Sequence, residues 1–203
     1  QAEAVRSYRE LFRQPLLLAA VASGMIGYGV MVLLMTATPL AMDHHQHPFP
    51  AIAQVIQWHV LGMFVPSFFT GRLIRRYSTR RVILWGCLAL LLSALVNLSG
   101  SGYWPYFAGL LLLGVGWNFT FIGATHLLSL SYRPQEQGKV QGINEFLVFS
   151  AAAVGSLFAG QGVVLLGWDW LNLASIPLIA LVAILIWRLD EARAAAAAAS
   201  PAE

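Results

Sequence analysis

Gly71-Arg-Leu-Ile-Arg-Arg-Tyr-Ser-Thr-Arg-Arg81 is a short basic stretch that joins two apolar stretches, at about 50–71 and 82–98. Each apolar stretch has close to the ~20 residues that an α-helix needs to cross a bilayer. Arginine is costly inside a membrane, so the arginines of this stretch must lie outside it, beside the two helix ends. The arginine stretch, Gly71–Arg81, therefore predicts two consecutive membrane spans joined by a basic connection.

The composition of the whole chain agrees with a membrane protein. Of its 203 residues, 58% are hydrophobic and 10% are charged, whereas a soluble domain has about 25% charged residues. Further apolar stretches fall at about 15–42, 104–130, 140–166 and 170–187, which makes six predicted spans. We therefore expect an all-α membrane protein of six transmembrane helices. The one cysteine, Cys87, excludes a disulfide within the chain.

The distribution of basic residues predicts the orientation. With six spans, all twelve Lys and Arg residues fall on one side of the membrane. Those outside the arginine stretch are Arg6, Arg9 and Arg13 before the first span, Arg133 and Lys139 between the fourth and fifth, and Arg188 and Arg193 after the sixth. The positive-inside rule makes that side the cytoplasm, so both chain ends are expected there. The net charge of +3 thus reflects the orientation of the chain in the membrane, and a nucleic-acid partner is excluded.

The arginine stretch resembles the short cytoplasmic loop motif of the major facilitator superfamily, roughly G-x-x-x-D-R-x-G-R-R. Gly71, Arg76, Arg80 and Arg81 match this motif. Arg75 stands where the family has Asp, and Ser78 stands near the motif's Gly. The resemblance implies one six-helix half of a twelve-helix transporter, interpreted as the C-terminal half, helices seven to twelve. The implied partner is the N-terminal six-helix half or a second copy.

This interpretation divides the chain into three parts. Residues 1–14 are expected to form a cytoplasmic linker with an amphipathic start, residues 15–189 the transmembrane half-domain, and residues 190–203 a cytoplasmic tail.

Two pairs of side chains with i, i+4 spacing suggest a metal pathway. They are Met31 with Met35 in the first span and His59 with Met63 in the second. Consecutive spans are expected to lie side by side, and at 1.5 Å per residue all four side chains reach similar depths. Thioether ligands favour Cu(I), although methionine is also an ordinary filler of helix cores. The paired motif is similar to that of CcoA-like bacterial copper importers, which implies that these four residues line a copper pathway.

Two further features can each be interpreted as functional or as merely structural. The loop after the first span contains Met42, Asp43, His44, His45 and His47, and could either collect copper ions or be a solvated loop rich in histidine. Glu145 lies inside the fifth span. It is a candidate for proton coupling, while a structural ion pair with the arginine stretch is the interpretation we favour.

The sequence predicts a transporter and no enzyme, with no cofactor. The expected function is copper import by alternating access across a bacterial inner membrane, with the copper ion as substrate and the lipid bilayer as surroundings. One alternative is a transporter of an organic solute such as riboflavin. A second alternative is a membrane assembly or structural subunit that transports nothing.

Overall fold

The computed structural model describes the backbone of residues 6–198 and the side chains of residues 6–189. The helices are α1 (Tyr8–Leu11), α2 (Pro15–His44), α3 (Phe49–Phe64), α4 (Ser67–Tyr77), α5 (Thr79–Asn97), α6 (Tyr103–Ser129), α7 (Gln137–Leu165) and α8 (Trp168–Ala198), with a 3₁₀ helix at Pro134–Glu136. The described part of the chain contains no β-strand, and the predicted all-α class is confirmed. Residues 1–5 of the predicted linker and 199–203 of the predicted tail lie outside the described residues.

The bundle contains six candidate membrane spans if one bent helix pair is counted as a single span. The helices α2, α5, α6, α7 and α8 are each long and apolar enough to cross a membrane. The pair α3 and α4 passes the same test together and is bent by 41°. Prolines start several elements, as Pro15 does at the first position of α2, where a missing N–H costs nothing.

Helix α6 lies at the centre of the bundle and separates α2 from α3. It packs along α5, α3 and α2, while α7 packs mainly on α2, and α8 packs on α2 and α5. A Cβ atom added at Gly114 of α6 would lie 2.5 Å from the carbonyl oxygen of His59, so α3 and α6 touch backbone to backbone. Helices α2 and α3 make little direct contact. The expectation that the first two spans lie side by side is therefore wrong, because glycine lets α6 enter between them.

The arginine stretch is helical almost throughout. Its first seven residues end α4, and α5 begins at Thr79, so a single residue, Ser78, connects the two helices. Ser78 has φ +83° and ψ 150°, a backbone conformation that side chains disfavour and glycine accepts. This is the position near which the loop motif has its glycine. The basic connection is therefore shorter than the sequence predicts, and its conformation is the one a glycine would adopt.

The break in the second span is held by a side chain of α6. Pro66 has no N–H and interrupts the helical ladder between α3 and α4. The buried Asn118 amide donates to the Met63 carbonyl at 2.7 Å and to the Ser67 hydroxyl at 2.6 Å. The Thr70 hydroxyl donates to the Asn118 carbonyl oxygen at 2.7 Å. Asn118 thus supplies, from a neighbouring helix, hydrogen bonds that the broken span cannot make itself.

The two ends of the bundle differ in chemistry. We call the end with α1 and the arginine stretch the arginine side, and the end with His44–His47 the histidine side. On the arginine side the short helix α1 is closed by a capping box between Ser7 and Glu10. Arg6 donates to the buried Glu136 carboxylate through Nε at 2.7 Å and Nη2 at 2.5 Å. This ion pair ties the predicted linker to the start of α7.

Candidate functional site: an aromatic surface beside a carboxylate

Five aromatic rings from four helices form one continuous group, the aromatic cluster. Tyr28 of α2 lies 5.6 Å from Trp117, 5.4 Å from Phe121 and 6.1 Å from Phe149, measured between ring centroids. Trp117 and Phe121, both on α6, are stacked at 5.0 Å with an angle of 10° between their planes. Phe64 of α3 lies 6.5 Å from Trp117. These separations are those of favourable edge-to-face and stacked contacts, which stabilise each ring pair by about 0.5–1.5 kcal/mol.

The aromatic cluster combines a buried floor with an accessible rim. The rim rings, Phe64 and Phe149, are 58% and 59% exposed, whereas Trp117 is 8% exposed. The indole N–H of Trp117 is buried and has no hydrogen-bond partner. A buried donor without a partner costs about 1–3 kcal/mol. The cluster therefore offers flat apolar faces at its accessible rim, which suits the face of a planar ring, while the Trp117 N–H is buried below that rim.

Glu145 lies on the same face of α7 as Phe149, one helical turn closer to the arginine side. It is exposed, and among the described residues it makes no ion pair or hydrogen bond. The favoured ion pair between Glu145 and the arginine stretch is therefore not formed, because α7 packs on α2 and away from α4 and α5. A charged side chain in a span normally faces water or a partner, since lipid exposure costs about 2.5–3.5 kcal/mol or more. We therefore expect this face of α7 to meet water or another protein element.

The four side chains of the predicted copper site lie in the helical core. Met31 and Met63 are buried members of that core, and the half-buried Met35 packs against it. His59 is fully buried, and its Nδ1 lies 2.8 Å from the Leu110 carbonyl oxygen. That carbonyl requires Nδ1 to carry the proton, which leaves Nε2 as an acceptor, and Nε2 has no partner. The copper site itself stays a prediction.

The histidines at the end of α2 and in the loop after it hydrogen-bond to the start of α6 and to the residues before it. His45 Nδ1 lies 2.8 Å from the Tyr106 hydroxyl, and His47 Nε2 lies 2.8 Å from the Ser101 carbonyl oxygen. Met42, predicted as part of a copper-collecting loop, is fully buried in the core. Asp43 and His44 are exposed beside it. Among residues 6–189, no three His, Cys, Asp or Glu side chains lie together so that they could hold a metal ion. The observed role of this loop is to fasten α2 to α6.

The matched residues of the loop motif lie at the surface of the arginine side. Gly71 is exposed and has no atom within 4 Å of an added Cβ, so packing within this half does not require glycine there. The Arg76 guanidinium lies 5.2 Å from the centroid of the Tyr77 ring. Arg80 is half-buried and Arg81 is exposed. This surface is therefore built to face water or another protein element.

Sequence reasoning missed the aromatic cluster. Its rings are far apart in the chain, and aromatic residues are common in membrane helices, so single positions gave no signal. The i, i+4 spacing of Trp117 and Phe121 in the fourth span was the available clue, since it predicts two large rings on one helix face.

A bundle of six apolar helical spans defines the class of multi-pass membrane proteins. Comparison with known families agrees: the model of the Major Facilitator Superfamily matches residues 19–203. The chain belongs to the Major Facilitator Superfamily. Members of this family are membrane-embedded transporters and not enzymes, and transporters of this type normally need no cofactor.

Three relatives are similar over most of this chain. It is 42% identical over 194 residues to the Riboflavin transporter RfnT of Brucella anthropi, covering 95% of this chain and 49% of that protein. It is 31% identical over 163 residues to the uncharacterized MFS-type transporter YdeG of Bacillus subtilis and 30% identical over 161 residues to YddS of the same organism. Each of these covers 78% of this chain and 37% of the relative. The chain thus spans about half the length of the first relative and less of the other two.

Proposed function

We propose that this chain is one half of a carrier that moves a planar heteroaromatic solute of the flavin class across the membrane. The observation that carries the proposal is the aromatic cluster, whose rings come from four helices and leave an accessible rim. A relative named a riboflavin transporter, 42% identical over 95% of this chain, supports the same solute class. The organic-solute alternative therefore replaces copper import as our first interpretation.

The mechanism follows from what each part of the surface offers. Aromatic rings bind the flat faces of the solute through stacking and exclude water from them. The partner of the aromatic surface is the second six-helix half, either the N-terminal half of the same transporter or a second copy. The two halves then expose the solute alternately to each side of the membrane. We place the protein in a bacterial inner membrane, with both chain ends and the arginine side in the cytoplasm.

A pair of phenylalanine substitutions tests the solute site. Phe149 and Phe158 lie on α7 nine residues apart, which places them on opposite sides of the helix. They are similarly exposed, at 59% and 62%, but Phe149 contacts the Tyr28 ring and Phe158 lines an apolar groove with α2 and α8. We expect Phe149→Leu to reduce riboflavin uptake by the complete transporter about fivefold, since one stacking contact contributes roughly 1 kcal/mol. Phe158→Leu is the matched control and should leave uptake near the wild-type level.

The outcomes of this test are distinct. Equal loss from both substitutions at matched membrane levels would show that the aromatic surface has no special role. A wild-type carrier that imports no riboflavin, flavin analogue or other planar heterocycle refutes the solute class.

Copper import is our second candidate, favoured by one specific observation. The buried His59 Nε2 acceptor lacks a partner, as a metal-binding imidazole does before its metal arrives. We test it with Met31→Leu and Met35→Leu, which conserve volume and remove only the sulfur. If both variants take up copper as the wild type does, the methionines serve as packing.

A further inference from the structure

The membrane-spanning part of this chain carries no lysine or arginine. All twelve Lys and Arg lie outside residues 15–71, 82–132 and 140–187. Within the same segments the acids are Asp43 and Asp169, close to the helix ends of the histidine side, and Glu145. An anion that enters this half therefore meets a carboxylate on the spans and no lysine or arginine to pair with.

The carboxylate lies beside the surface proposed to bind the solute. Glu145 and Phe149 share one face of α7 and are separated by about 6 Å along the helix axis. Both side chains are exposed, and Phe149 is part of the aromatic cluster through its contact with Tyr28. A planar ring stacked against Phe149 thus brings an edge or a substituent within reach of the Glu145 carboxylate.

We propose that Glu145 makes the carrier select solutes without a phosphate group, so that it accepts a neutral flavin and rejects its phosphorylated form. This inference rests on the proposed function. A carboxylate accepts hydrogen bonds from ring N–H groups and sugar hydroxyls. It repels a phosphate, and the repulsion is stronger in a partly dehydrated site than in water. Specificity of this kind depends on a repulsive element directed against the unwanted solute.

A carrier that excludes phosphorylated solutes needs no lysine or arginine in its spans to bind a phosphate. A phosphate is normally bound by arginine, lysine or a helix N-terminus. In place of these phosphate-binding groups, this half presents the Glu145 carboxylate, which repels a phosphorylated solute. The same carboxylate is a strong hydrogen-bond acceptor for the hydroxyl groups of an unphosphorylated solute. The discriminating residue is therefore a single, exposed position that tolerates substitution without disturbing the helical core.

Riboflavin and its 5′-phosphate, flavin mononucleotide, test the proposal on the complete transporter. Uptake of labelled riboflavin is measured with each compound as competitor, and binding to the purified transporter is read from quenching of tryptophan fluorescence. We expect the phosphate to compete at least about tenfold more weakly than riboflavin in the wild type. Glu145→Gln should reduce the ratio of the two competing concentrations, flavin mononucleotide over riboflavin, about tenfold. Glu145→Asp, which keeps the charge, should preserve that ratio.

Glu10→Gln is the control for a general change of charge. Glu10 is exposed on α1, outside the membrane spans and the aromatic cluster, and glutamine keeps its capping role. It should leave the ratio unchanged. A Glu145→Gln carrier with the wild-type binding ratio overturns the proposal, as does a wild type that binds both compounds equally. A wild type that binds neither compound refutes the proposed function as well, and the binding assay gives the ratio even for variants that do not transport.

Discussion

Replacing Ser78 by glycine should stabilise the protein. Ser78 connects α4 to α5 in a conformation with φ +83° and ψ 150°, which costs a residue with a side chain about 1–3 kcal/mol. Glycine adopts it without that strain but loses about 0.5–1 kcal/mol through greater freedom in the unfolded chain. From the centres of these two ranges, the expected net gain from Ser78→Gly is about 1 kcal/mol.

Nothing else in the structure offsets this gain. Ser78 is exposed, and its observed hydrogen bonds use the backbone, with its N–H donating to Ile74 at 3.0 Å and its carbonyl accepting from Val82 at 3.3 Å. Glycine keeps both bonds. For a chain of this size 1 kcal/mol corresponds to about 2–4 °C in Tm, so the unfolding midpoint should rise by roughly 2–4 °C.

The assay is thermal unfolding of the purified protein in detergent, followed by far-ultraviolet circular dichroism and by loss of the monodisperse peak. Ser78→Ala is the control, because alanine has the same side-chain restriction and should give no gain. An unchanged or lower Tm for Ser78→Gly, or an equal gain from alanine, would refute the argument from backbone strain.

Three further predictions concern the packing of the helices. Asn118→Ala leaves the Met63 carbonyl without its partner and should cost about 1–3 kcal/mol of stability in a denaturant titration; a change below 0.5 kcal/mol (roughly the scatter of surface substitutions) would contradict it. Gly114→Ala forces α3 and α6 apart and should cost about 1–3 kcal/mol, whereas Gly142→Ala, where an added Cβ meets no atom within 4 Å, should be neutral or stabilising. Arg6→Ala should destabilise the protein more than the double variant Arg6→Ala, Glu136→Gln, because the single variant leaves the buried Glu136 carboxylate without its ion-pair partner. Equal losses of stability for the single and the double variant in a double-mutant cycle would refute this.

The sequence predicted the fold well because its two strongest signals act over whole segments. Apolar length and the one-sided placement of basic residues each sum over many positions, so six spans follow even where single helix ends are uncertain. Which helices pack against one another was not predictable from such segment-wide signals. The expectation that the first two spans are neighbours failed because Gly114 admits α6 against the His59 backbone, a contact between residues 55 positions apart that no local pattern records.

The candidate site was predicted less well for a related reason. Met31 and His59 carry distinctive chemistry, so they drew attention as single residues, whereas the aromatic cluster depends on rings that only the tertiary structure brings together. Glu145 stands out in the sequence as a carboxylate within the fifth predicted span. Its favoured ion pair was wrong because the sequence does not state which helix α7 packs against.

The hydrogen bonds of Asn118 have a consequence for how the chain is made. The amide that serves the Met63 carbonyl lies 55 residues later in the sequence, which corresponds to about 3–11 s of synthesis at 5–20 residues per second. During that interval the broken second span has an unpaired backbone group, which hydrocarbon penalises by several kcal/mol. The second span can therefore settle fully into lipid only after the fourth has arrived, so the order of synthesis is not the order in which the helices complete their insertion.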